Sequence, residues 1–98
     1  MKPAKYHPLA KNELIHSALF YDERNPGLGE RFLKAVEATE MVVRRHPQWG
    51  MPFEAGTRKL RVKKFPYTVI YKEYPEFIKV FAVAHFSRRP NFWIKRLG

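Results

Sequence analysis

The chain contains no cysteine, which excludes disulfides and thiolate metal sites alike. Acidic residues are scarce: nine Asp plus Glu stand against nineteen Lys plus Arg, a formal charge of +10 over 98 residues. A domain this basic repels itself when folded and attracts polyanions or acidic proteins. Long apolar runs are missing too. No stretch approaches the length that crosses a bilayer, and the opening MKPAKYHPLA lacks the apolar segment of a secretory signal. The expectation is a soluble, cytoplasmic protein with no membrane partner. His7, His16 and His46 lack metal-like spacing, so neither a metal nor any other cofactor is expected. Repeats, low-complexity tracts and linkers are absent.

Hydrophobic residues make up 45% of the chain and aromatics 15%. That is enough to fold one domain over residues 1–98 around a single modest core. Lys2 to His7, bounded by Pro3 and Pro8, fits an edge strand. From Pro8 the period changes. Ala10, Leu14, Ala18 and Tyr21 mark one face of a helix, with Lys11, Glu13 and His16 assigned to the outside. Asn25-Pro26-Gly27 breaks it. A second helix, from about Leu28 to Arg45, has Phe32, Ala35, Val36, Thr39, Val42 and Val43 on one stripe, and Pro47 stops it. Helices joined by about three residues should form an antiparallel hairpin.

Beyond the Gly/Pro-rich loop Gln48–Gly56 the pattern turns to strands. Thr57 to Lys63 alternates, with Lys59, Arg61 and Lys63 forming a basic stripe on one face. Tyr67 to Glu73 and Phe77 to Ala84 are β-branched and aromatic. A two-residue loop at Tyr74-Pro75 would set Tyr71 opposite Ile78 and Val69 opposite Val80. Phe77, Lys79, Phe81, Val83 and His85 would then share the other face. The expected fold class is α+β: an N-terminal strand and a helical hairpin on one face of an antiparallel sheet, with a short basic-aromatic tail. The last strand delivers His85, Arg88 and Arg89 to one edge, a plausible meeting place for a polyanion and proton-transfer chemistry.

Several segments, in order, carry a family pattern: Pro26-Gly27-Leu28-Gly29 followed by Arg31-Phe32-Leu33; His46-Pro47 through Gly50; Phe65-Pro66-Tyr67 with Val69 and Tyr71; and Ala82-Val83-Ala84-His85 with Arg88, Pro90 and Trp93. In these the chain resembles the RelE/ParE superfamily of toxins from type II toxin–antitoxin systems, most closely its plasmid-stabilisation branch. The resemblance implies one of two activities. RelE-like toxins are mRNA interferases, endoribonucleases that cut mRNA on the ribosome without metal; ParE-like toxins poison DNA gyrase by protein contact. It also implies a cognate acidic antitoxin, with ribosome and mRNA, or gyrase, as the target.

For metal-free mRNA cleavage, the expected function, His85 would carry protons, and Arg61 and Arg88 would hold the phosphate. Lys59, Lys63, Lys64 and Arg89 would add nucleic-acid attraction, and Tyr71 or Trp93 would stack a base. Gyrase inhibition without catalysis is the alternative, and a toxin fold reduced to pairing with an acidic protein is a third reading. The chain departs from the nuclease pattern at its end, with no tyrosine after Tyr74. Each residue also has a structural reading. His85 can bond backbone at a strand end, Arg88 and Arg89 can pair with Glu54 or Glu76, and Phe92 and Trp93 can seal the core.

Overall fold

The computed structural model describes residues 1–98. Strand β1 (Ala4–Tyr6) leads into helix α1 (Pro8–Arg24), followed by α2 (Leu28–Arg45). The remaining strands are β2 (Met51–Pro52), β3 (Arg58–Arg61), β4 (Tyr67–Glu73) and β5 (Ile78–His85). Single 3-10 turns lie at Glu54–Gly56 and Ile94–Leu97.

The helical hairpin follows from a few residues. His7 caps α1, its Nδ1 accepting the Leu9 N–H, and Pro8 occupies the first turn, where no donor is needed. Asp22 then reaches past the end of α1, its Oδ1 accepting the N–H groups of Gly27 and Gly29 and so supplying partners at the start of α2. Gly27 has φ +90, a left-handed conformation that glycine adopts without penalty. A Cβ on Gly29 would collide with the Ala18 carbonyl, so glycine there lets the two helices approach closely. The Pro26–Gly29 pattern is thus a helix-crossing device.

The five strands form one sheet in the order β1-β5-β4-β3-β2. It is mixed rather than wholly antiparallel, because β1 adds in parallel to β5, with Ala4 opposite Ile78 and Tyr6 opposite Val80. Both helices cover one face. Phe32, fully buried, meets the rings of Tyr67 at 4.7 Å, Phe65 at 5.2 Å and Tyr21 at 5.3 Å. With Val36, Val43, Val69, Val80 and Val83 these residues build the main core. A smaller cluster on the far face joins Ile70, Ala82 and Ala84 under Trp93.

The β4–β5 register differs from the two-residue hairpin expected. The loop is four residues, Tyr74–Phe77, with Glu73 opposite Ile78. The ladder then slips between Ile70 and Tyr71, which oppose Ala82 and Val80, so Phe81 is an extra residue in a β-bulge. A bulge reverses the alternation beyond it. Ile78 and Val80 face the helices, and past Phe81 so do Val83 and His85, while Ala82 and Ala84 face away.

Candidate functional site

The bulge decides where the expected site residues lie. Arg61 pairs with Thr68 on the face away from the helices, whereas His85 pairs with Tyr67 on the helix side. The two therefore do not share a face, contrary to the expected alternation. The His85 ring stands edge-on to Tyr67 at 5.1 Å, and its Nδ1 lies 2.7 Å from Ser87 Oγ and accepts the Ser87 N–H at 3.0 Å. That is the strand-end histidine bonded to backbone. Arg61 is exposed, with its guanidinium 5.1 Å from the Phe86 ring.

Arg88 is engaged elsewhere. It stacks on Phe92 at 3.8 Å and pairs with Glu13 at 3.4 Å, not with Glu54 or Glu76. Tyr71 and Trp93 do not offer rings to a base, as both are buried. The Tyr71 hydroxyl donates to the Pro47 carbonyl and accepts the Gly50 N–H, each at 2.9 Å, anchoring the loop after α2. Burial pushes its pKa up. Trp93 plugs the far-face cluster against Phe53, ring centroids 5.7 Å apart.

The basic residues divide into two groups. Lys59, Arg88 and Arg89 border a far-face cleft of about 320 Å³, floored by Ile70 and Trp93 and closed at one end by the β5 terminus at His85. Lys59 sits 4.2 Å above the Phe53 ring. Lys63 and Lys64 fall outside this cleft. Strand β3 ends at Arg61, so the expected stripe stops there, and both lysines occupy the turn into β4, beside Arg31 and Lys34 of α2. The cleft can attract an anion, but His85, which borders it, has its Nδ1 bonded to Ser87, and Arg88 is paired with Glu13, so no imidazole stands between two free guanidiniums.

One ion-pair cluster departs from the expectation that Glu13 faces solvent. Glu13 points into the sheet edge, accepting the Val83 N–H at 3.0 Å and two bonds from Arg96, at 2.8 and 3.1 Å. Arg96 also donates to the Phe81 carbonyl at 2.8 Å. Strand β1 stops short of this part of β5, and the ion pair supplies the partners its edge lacks. The signal was present: Ala10, Glu13, Leu14, Ser17, Ala18 and Tyr21 are one helical stripe, and a carboxylate inside a buried stripe needs a partner.

Two helices on a five-stranded mixed sheet with a basic far face define a RelE/ParE-type toxin fold. The model of a family described as "ParE toxin of type II toxin-antitoxin system, parDE" matches residues 4–90, and the chain belongs to that family. A solved structure titled "Chromosomal ParDE TA system from P. aeruginosa" shares the fold, with a TM-score of 0.77 over 87% of this chain and 96% of that one at 16% identity. No curated protein matches the sequence. No helix is long and apolar enough to cross a membrane.

Proposed function

We propose that this ParE-family toxin acts by binding DNA gyrase and does not cleave mRNA. One observation carries the proposal: the three side chains that cleavage would need are not aligned with one another, although His85 and Arg88 border the same cleft. His85 is tied to Ser87 and Tyr67 on the helix side, Arg88 to Glu13 and Phe92, and Arg61 lies on the opposite face. General acid–base catalysis requires the proton carrier within hydrogen-bond reach of the group it serves. Membership of the ParE family supports the same conclusion.

The antitoxin belongs to the proposal. A cognate antitoxin with an acidic segment that folds on binding would neutralise this +10 surface. The test is a supercoiling assay, in which gyrase acts on relaxed plasmid with purified toxin added. Supercoiling should fall with wild-type toxin and equally with His85→Ala, and antitoxin should restore it. Unchanged supercoiling, together with cutting of ribosome-bound mRNA that His85→Ala abolishes, would overturn the proposal.

A further inference from the structure

Four cations meet where α2 passes the β3–β4 turn. Arg31 and Lys34 stand three residues apart on one side of α2, and Lys63 and Lys64 form the facing turn. Together they border a cleft of about 660 Å³. Lys34 has a single exposed contact, Glu30 at 3.4 Å. Arg31, Lys63 and Lys64 are exposed and form no ion pair or side-chain hydrogen bond. The turn is fixed by the Val62 N–H to Tyr67 carbonyl bond at 3.0 Å, and Lys64 holds φ +68, where glycine or asparagine is the usual occupant. A lysine kept in that conformation, beside the unpaired Arg31 and Lys63 and the exposed Lys34–Glu30 pair, is costly to the isolated domain and useful to a polyanion site.

We infer that the Arg31–Lys34–Lys63–Lys64 surface binds the phosphate backbone of duplex DNA. An acidic peptide is the competing occupant, because Tyr21, Leu28, Phe65 and Pro66 also border the cleft, but a segment that folds on binding must first offset its ordering entropy. A duplex is already ordered and gains by releasing counterions. The inference deepens the gyrase reading, because it places the DNA that gyrase holds against a surface distinct from the far-face cleft; direct duplex binding can be tested apart from that reading.

The experiment is fluorescence anisotropy of a labelled duplex against the full-length toxin over a salt series. It compares wild type, the triple reversal Arg31→Glu/Lys63→Glu/Lys64→Glu, and the control Lys11→Glu/Arg45→Glu/Lys95→Glu, which has the same net charge. Circular dichroism should show both variants folded. Binding by wild type should weaken linearly with log salt, and the first variant should lose at least about tenfold in affinity at low salt and reduce the slope by roughly 3. The control should keep most of both. Equal losses in the two variants, absence of wild-type duplex binding, or tighter binding of a poly-glutamate peptide than of the duplex would each overturn the inference. Gyrase pull-down without DNA separates the two proposals: duplex binding that maps to this surface alongside no gyrase capture would sink only the gyrase reading.

Discussion

Glu13 of α1 and Arg96 of the C-terminal turn form a two-point ion pair, with only 12% and 9% of their side chains exposed. Through it the first helix, the edge of β5 and the C-terminal turn are joined at one place. Both charges carry further hydrogen bonds, to the Val83 N–H and the Phe81 carbonyl, which is the condition under which a buried pair offsets its desolvation.

Removing one member should therefore be costly. Glu13→Ala is expected to destabilise the fold by about 3–5 kcal/mol, because Arg96 and the Val83 N–H lose their partner. Urea denaturation checks it. The double variant with Arg96→Ala should lose less than the two single losses added, and strict additivity would show that the pair is not coupled.

Tyr71→Phe should cost about 1–3 kcal/mol without altering the core, since the buried Gly50 N–H loses its acceptor. The loop after α2 should then show faster amide exchange at Gly50. An unchanged exchange rate would mean that the loop is held by other contacts.

Stability should fall at both ends of the pH scale. His7 has its pKa lowered below the ordinary 6.5, by burial first and then by the nearby Arg96 and Lys79. The folded state favours its neutral form, so that contribution is present above pH 6.5 and is lost as pH falls through the lower folded value. Protonation would also remove the acceptor that caps α1. His7→Asn, which caps without titrating, should flatten the acid limb of a denaturation midpoint plotted against pH. Tyr6, Tyr21 and Tyr71 all have pKa values raised above the ordinary 10.0, chiefly by burial. Their contribution is full below that pH and is lost as pH rises above it. Ionisation of these three, seen in tyrosinate absorbance, should coincide with alkaline unfolding; their titration near pH 10.0 in the folded protein would contradict their burial.

The helices were legible because their signals are local. The spacing of Phe32, Val36, Thr39 and Val43 and the Pro26-Gly27 break survive any tertiary context, and these residues lie where the pattern put them. The parallel docking of β1 was not legible, since a short strand carries no mark of its partner's direction. Nor was the Phe81 bulge: one extra residue in an apolar run leaves no trace in FIKVFAVAH, yet it turns His85 toward the helices. That single slip separated the expected catalytic residues. The partners that hold Glu13 inward leave no local signal for a related reason, because they lie about seventy and eighty residues away.

The most direct test is inducible expression in a bacterial host of wild type, His85→Ala and Arg61→Ala, following labelled methionine incorporation and DNA replication together. Binding without catalysis predicts arrested replication with a DNA damage response, early translation intact, and both variants still toxic. Early loss of translation that both substitutions relieve would contradict it and restore an mRNA-cleaving site.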